Sequence, residues 1–400
     1  ISGDEFMEGG YGLDDAIEFA KMLDGKVDLI HVSATSFRDV NSGCRMFPSA
    51  FLPHGVNVYL AEAIKKHVKT PIATVGSLSD PAEMEDIIAS GKADVIYVGR
   101  QILADPEFPN KAKAGRFDEV RPCVRCNHCL SLDFVPYVDM CSGISQCVVN
   151  PEVGRDLKEG MYQPKPQPKK VLVIGGGPGG MQAALKAEEQ GHEVILIEKA
   201  DRLGGMLNVA VHDVSFKEDL GRYLQYLIRM VERKAIQVRL NTTATPELIQ
   251  EIAPDTVVCA VGAEPVIPRI PGVDRDNVVK VTQLRDPDLK FGEKVVVIGG
   301  GLVGCEEGLA LAMEGKDVTV LEMQEKLAPD APVLHLKAMM LEYEKRTENL
   351  HPYTEVTVTS IEDDGVHAKD KDGKEVIYPA DTVLLSCLLY TSPSPRDMRR

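Results

Sequence analysis

RPCVRCNHCL, residues 121–130, places Cys123, Cys126 and Cys129 at two-residue gaps. Thiolates at close spacing bind soft metal centres. A tight turn bearing three of them wraps one corner of an iron–sulfur cube, and a distant cysteine completes the set. Structural zinc prefers two separated pairs, which make a tetrahedron without crowding. The spacing therefore predicts a [4Fe–4S] cluster rather than zinc. Cys141 and Cys147, in DMCSGISQCVVNP, are both within reach as the fourth ligand. His128, inside the turn, is read as exposed or as a neighbour of the ligands.

Two glycine patterns offer a second chemistry. VLVIGGGPGGMQAALKAEEQGHEVILIEK (171–199) is strand, glycine turn, helix, strand, acid. Gly175 allows the tight turn, Gly177 lets a pyrophosphate approach the backbone, and Gly180 lets the helix pack close to the strand. Glu198 ends the second strand, where a carboxylate can accept from a ribose hydroxyl. VVVIGGGLVGCEEGLALAMEGKDVTVLEM (295–323) repeats the unit with Gly299, Gly301, Gly304 and Glu322. Two such units predict two dinucleotides, a flavin adenine dinucleotide and a nicotinamide. DTVVCAVGAEPVIPRIPGV (255–273) reads as a return strand that runs into Gly262 beside the first nucleotide. LGGM (203–206) sets Gly204 and Gly205 where a flavin ring must approach closely. Glu322 would repel a 2′-phosphate, and the following MQEK holds no arginine, so NADH is expected over NADPH.

A third candidate lies near the start. The apolar runs TPIATVGS (70–77) and ADVIYVGR (93–100) end in glycine turns. After the last strands of a βα barrel, such turns commonly hold a phosphate through backbone N–H groups. Gly76, Ser77, Gly99 and Arg100 are the candidates; the other reading is ordinary tight βα turns.

These residues need elements to position them. Residues 1–120 alternate strand runs, beginning with VDLIHVS (27–33), with helical patterns at 13–23, 57–68 and 80–91. That alternation means parallel βα units. Three or four units cannot close a barrel but suit half of one. The fold class is α/β: the C-terminal half of a TIM (β/α)8 barrel over 1–120, an iron–sulfur segment and linker over 121–163, then two Rossmann-like domains. FAD is assigned to 164–285 and NAD to 286–387. The chain has 400 residues and a net charge of −16. An acidic surface argues against nucleic acid and anionic membranes as partners. No apolar run is long enough for a membrane span and no secretory signal opens the chain, so a cytoplasmic location is expected. Of nine cysteines, five fall between Cys123 and Cys147, which suits local ligation better than a disulfide framework. Cys44, Cys259, Cys305 and Cys387 are scattered and read most simply as buried thiols. The chain reads as a fragment, and residues 388–400 resemble translated sequencing-adaptor read-through.

The order ISGDEF, TVGSLSDP, VGRQILADP, PCVRCNHCL, CVVNP, GGGPGG and GGGLVG resembles the multidomain NADH:flavin oxidoreductases of the Old Yellow Enzyme superfamily. That group includes 2,4-dienoyl-CoA reductase, 2-enoate reductases, bile-acid-inducible flavin oxidoreductases and trimethylamine dehydrogenase. The resemblance implies FMN in the barrel, a [4Fe–4S] cluster beside it, FAD, and an inserted nicotinamide site. It implies that Val75–Gly76 and Gly99–Arg100 cradle the FMN phosphate, and CVVNP favours Cys147 over Cys141. The first half of the barrel, with the residues that cover the flavin, is not in this sequence, so no proton donor is named. His31 reads as flavin-adjacent or as a strand-end residue.

The expected route is NADH to FAD to the cluster to FMN, with reduced FMN passing hydride to an activated C=C bond of a small molecule. Hydride transfer needs near-contact, and a one-electron centre spans the gap between flavins. An amine dehydrogenase, or an electron-transfer module feeding a partner, are the rival readings. A homo-oligomer is left open.

Overall fold

Apolar residues two apart in short runs, and three or four apart between them, set the chain into alternating strands and helices. The structure is a computed structural model and describes residues 1–36, 39–130, 146–153, 167–265, 267–284, 286, 288–386 and 389–391. Two compact units result. One holds Ile1–Pro164 with Ser215–Tyr226 and Pro332–Met340; the other holds Lys165–Val214, Leu227–Ala331 and Leu341–Arg400.

The first unit runs α1 (Leu13–Leu23), β1 (Ile30–Val32), α2 (Val40–Met46), α3 (Val58–Lys65), β2 (Ile72–Thr74), α4 (Pro81–Ala89), β3 (Val95–Ile96), α5 (Arg100–Ala104) and α6 (Phe108–Lys113). β1, β2 and β3 pair in parallel in that order. Ala16 and Ala20 of α1 and Leu60, Ala61 and Ile64 of α3 are buried with Ile30, Val32 and Ile72 of the strands. Burying a side chain such as Leu60 contributes about 1.5–3 kcal/mol. α4 starts where its sequence says: Asp80 caps it by accepting from Ala82 N at 2.8 Å, with Pro81 at the first helical position. α2 arises outside the helical patterns read at 13–23, 57–68 and 80–91. Its composition is poor for a helix, and the Asp39 carboxylate supplies the start by accepting from Ser42 N at 2.8 Å.

The second unit carries two parallel sheets of one design. β4 (Lys170–Ile174) is followed by α7 (Pro178–Glu189), β5 (Glu193–Ile197), α8 (Leu207–Ala210), α9 (Glu218–Glu232), β6 (Ile236–Arg239), α10 (Pro246–Ile252), β7 (Thr256–Cys259) and the short β8 (Ala263–Pro265). The first sheet has the order β6-β5-β4-β7. β9 (Val278–Lys280) precedes β10 (Lys294–Ile298), α11 (Leu302–Met313), β11 (Asp317–Leu321), α12 (Val333–Glu344) and β12 (Leu350–Tyr353). An antiparallel meander, β13 (Thr357–Glu362), β14 (Gly365–Lys369) and β15 (Glu375–Tyr378), leads to β16 (Thr382–Leu385). The second sheet has the order β12-β11-β10-β16-β9. β10 is its counterpart of β4, and β16 of β7. The central strands β4, β5, β10 and β16 carry buried Val/Ile/Leu runs, as parallel strands covered on both faces require. β7 is more exposed, and Cys259 at its end is exposed rather than buried, whereas Cys44 and Cys305 are buried as expected.

Two divisions differ from the contiguous ones read from sequence. β9 lies before residue 286, yet Val278–Lys280 pairs in parallel register with Val383–Leu385 of β16. Ser215–Tyr226 and Pro332–Met340, inside the regions assigned to FAD and NAD, group with the first unit. The reason is burial: Phe216 and His335 each pack tilted against the Phe51 ring, with ring centroids 4.9 Å away. At the far end, β17 (Leu389–Thr391) pairs antiparallel with Ala263–Pro265 of β8, within the stretch read as a foreign tail. Among the described residues no helix is long and apolar enough to cross a membrane.

Candidate functional site

The cysteine turn is shaped by its non-cysteine residues. Arg125 and Asn127 both adopt positive φ, +50° and +59°, a conformation usually left to glycine. Both are buried and held by their side chains. Asn127 Nδ2 donates to Phe47 O at 2.9 Å. Arg125 Nε donates to Asp219 Oδ2 at 2.5 Å, and its Nη1 to the carbonyls of Ser49 and Leu52. In this shape the backbone N–H of Arg125 is directed at the Cys123 thiol and that of His128 at the Cys126 thiol. Gln101 of α5 ties the start of the turn, accepting from Cys123 N at 2.9 Å and donating to Arg121 O at 2.8 Å. His128 itself is exposed.

Cys147 lies near enough to raise the thiol pKa of Cys123, Cys126 and Cys129. Burial is the larger cause and pushes Cys126 and Cys129 up to about 11. Among the described residues, only Glu362, Asp364 and His367 have ligand atoms all within 4.8 Å of one another. No three of the four thiols are therefore that close. A tetrahedral zinc with Zn–S of about 2.3 Å would need sulfurs about 3.8 Å apart. Four cysteines are the donor set that a [4Fe–4S] cluster would use. Cys141 lies outside the described residues.

The βα turns meet the cysteine turn directly. One cavity is lined by Val75, Gly76, Ser77, Gly99, Arg100 and Cys123, with Arg125 on its wall. Gly76 has φ of +142° and Ser77 of +55°. Arg100 opens α5 and donates from Nη2 to Ser77 Oγ at 2.9 Å and from Nη1 to Asn127 Oδ1. His54 joins the same group: its Nδ1 lies 2.7 Å from Ser77 O and its Nε2 3.0 Å from Asp219 Oδ1. Burial alone would raise the Asp219 pKa; the His54 hydrogen bond and the Arg125 charge overcome that and bring it to about 2. An anion with phosphate geometry entering this cavity would find a guanidinium and the open backbone of two glycine turns.

The two glycine turns of the second unit are near copies. Gly175 N donates to Ile197 O at 2.8 Å, and Gly299 N to Leu321 O at 2.9 Å. A Cβ on Gly180 would overlap the Gly175 carbonyl oxygen, and one on Gly304 that of Gly299. Gly177 and Gly301 stand immediately before α7 and α11 in extended backbone, so the helix N-terminal amides face the turn. Glu198 Oε2 accepts from Gly176 N at 2.6 Å, and Glu322 Oε2 from Gly300 N at 2.7 Å, across the same separation of 22 residues. Each carboxylate thus stands beside its glycine turn, buried at the end of its strand. The turns differ above the glycines. Gly205 packs over Gly177, whereas among the described residues nothing lies within 4 Å of a Cβ placed on Gly301. Gly204 and Gly205 have positive φ, and a Cβ on Gly204 would crowd Asn208. Gly262, with φ of +80°, follows β7 at the open end of the first sheet.

This duplicated turn decides the family. Residues 169–387, more than half the chain, match the family described as Pyridine nucleotide-disulphide oxidoreductase. The chain belongs to that family. Residues 1–119 match a second one, the NADH:flavin oxidoreductase / NADH oxidase family. The first family implies FAD and NAD(P), the second FMN. The chain is 40% identical to an NADH oxidase of Thermoanaerobacter brockii, over 100% of its own length and 60% of that protein. It is 36% identical to a cinnamate reductase of Clostridium sporogenes, over 85% of this chain and 50% of that one. Among solved structures, a 2-naphthoyl-CoA reductase in complex with 2-naphthoyl-CoA superposes with a TM-score of 0.88 at 30% identity, covering 97% of this chain and 58% of that one. The chain spans 50–60% of the length of these relatives.

Four residues of the site were not legible in the sequence. Arg125, Asn127, His54 and Asp219 carry no motif of their own, and Asp219 is 94 residues from Arg125. The one signal available was that Arg125 and Asn127 fall between ligands, where a turn must reverse its direction. His31 lies within β1, its ring stacked on Tyr97 at 4.4 Å, and its buried Nε2 has no hydrogen-bond partner among the described residues. Burial lowers its pKa.

Proposed function

We propose that this protein is an NADH-dependent flavin and iron–sulfur oxidoreductase that reduces an activated C=C bond of an enoate, enoyl-CoA or enone. The observation that carries the reading is the single cavity walled by both the phosphate-type turn and Cys123, with Arg100 hydrogen-bonded to each side. Resemblance to a cinnamate reductase and to a 2-naphthoyl-CoA reductase, whose names describe conjugated acids and thioesters, supports the substrate class.

In this reading Cys123, Cys126, Cys129 and Cys147 hold a [4Fe–4S] cluster, and Val75, Gly76, Ser77, Gly99 and Arg100 hold FMN. Gly175, Gly177, Gly180, Glu198, Gly204, Gly205 and Gly262 hold FAD. Gly299, Gly301, Gly304 and Glu322 hold NADH, and the Glu322 carboxylate disfavours the extra phosphate of NADPH. When bound, these groups supply hydride exchange with NADH and substrate and single-electron transfer between the flavins. The protein's part is placement. The positive-φ turn aims N–H groups at the thiols, Arg100 supplies charge to the phosphate turn, and the glycines let pyrophosphates lie against backbone.

The test is anaerobic NADH oxidation by the full-length holoprotein with cinnamate-type acids, their CoA thioesters and cyclic enones. NADH consumption matched by saturated product is expected. No turnover with any of these would sink the reading. Amine oxidation by a protein that does not bind NADH would establish the amine-dehydrogenase reading instead.

A further inference from the structure

Arg100 serves two turns with one side chain. Ser77 Oγ at the phosphate-type turn accepts from Nη2 at 2.9 Å, while Asn127 Oδ1 in the cysteine turn accepts from Nη1. Gly76, Ser77, Arg100 and Cys123 line one cavity. Asn127, the partner of Nη1, stands between Cys126 and Cys129 in the cysteine turn, so the guanidinium charge lies beside the ligand positions. At such a site the charge is screened far less than in water.

We propose that Arg100 is an electrostatic coupler, through which a phosphate group held at the Ser77 end lowers the reduction potential of a cluster held at the cysteine end. The inference rests on the FMN and cluster sites proposed above. A cation beside the thiolates stabilises the electron that a cluster takes up. An anion gripped by the same guanidinium offsets that cation, and the added electron becomes less welcome. Linkage is reciprocal, so FMN binds more weakly to the reduced-cluster protein by the same factor. The consequence is directional. A seated FMN makes the neighbouring cluster the better donor, and a cluster with no acceptor beside it holds its electron.

The experiment is a potentiometric titration of the full-length holoprotein with dithionite, with and without FMN, reading the one-electron cluster couple by its EPR signal. A roughly tenfold difference in FMN affinity between the two cluster states is expected, equal to a potential lower by about 59 mV when FMN is bound. Inorganic phosphate in place of FMN should move the potential in the same direction, which separates the phosphate from the flavin ring. Arg100→Gln without FMN should start from a potential about as low as that of the FMN-loaded wild type. Arg100→Lys, which keeps the charge but not the fork, should retain part of the wild-type shift. A wild-type potential that does not move on FMN loading, with iron, sulfide and FMN all present, overturns the coupling and leaves both sites standing. An Arg100→Gln protein with the wild-type starting potential overturns it equally. A holoprotein that holds no iron and sulfide, or no FMN, overturns the sites and the coupling with them.

Discussion

Asp219 grips Arg125 at 2.5 Å with both side chains almost wholly buried, 1% and 3% exposed. Arg125 lies inside the cysteine turn, and Asp219 comes from a segment nearly a hundred residues later. The same carboxylate takes a hydrogen bond from the His54 ring, which also touches the phosphate-type turn. One buried anion therefore fixes two loops that any cluster and flavin would share.

Removing that anion leaves a buried guanidinium without a counter-charge. Asp219→Ala is expected to destabilise the first unit by about 3–5 kcal/mol, the usual cost of breaking a buried pair. Urea unfolding followed by circular dichroism measures it. A cost below about 1 kcal/mol would show that the pair is dispensable.

The sign of the pH effect follows from the same contact. The folded Asp219 carboxyl, at about 2, lies below its ordinary value of 3.8, so its stabilisation is present above pH 3.8 and is lost as pH falls toward 2. Wild type and Asp219→Asn should differ most above about pH 4 and converge near pH 2. Parallel acid-unfolding curves would contradict this.

The twin glycine turns should fail separately. A methyl at Gly180 overlaps the carbonyl of Gly175, and one at Gly304 that of Gly299. Gly180→Ala is expected to lose FAD, and Gly304→Ala to retain FAD while losing NADH binding by tenfold or more. Flavin release on acid extraction and NADH titration by fluorescence distinguish the two. Loss of both nucleotides in either variant would contradict the separation.

Coenzyme choice should answer to Glu322. Glu322→Ser removes the carboxylate that faces the Gly300 amide at 2.7 Å and would meet a 2′-phosphate. The NADPH-to-NADH ratio of kcat/KM is expected to rise about tenfold or more. An unchanged ratio places the discrimination elsewhere.

The fourth cluster attachment separates Cys147 from Cys141. Cys147 stands electrostatically among the other three thiols. Cys147→Ser is expected to lose most iron and the visible absorbance of a cluster, and Cys141→Ser to keep both. The opposite pattern in iron and sulfide analysis reverses the assignment.

What the sequence by itself determined is whatever depends on near neighbours. The glycine turns were legible because the backbone there tolerates no Cβ, and the acids because a strand of fixed length must end at Glu198 and Glu322. The cysteine turn was legible because three ligands crowd into seven residues. α1 and α4 were legible from their apolar spacing and, for α4, its cap. Only the tertiary structure decided that β9 joins the second sheet, that Ser215–Tyr226 belongs with the first unit, and that Asp219 and His54 brace the cysteine turn. The same holds for Arg100, whose type and position suggested a phosphate but not its second hand on Asn127. These choices arise from burial and charge pairing between residues far apart in the chain. Such partners select one another in space and leave no period or spacing in the sequence to be read.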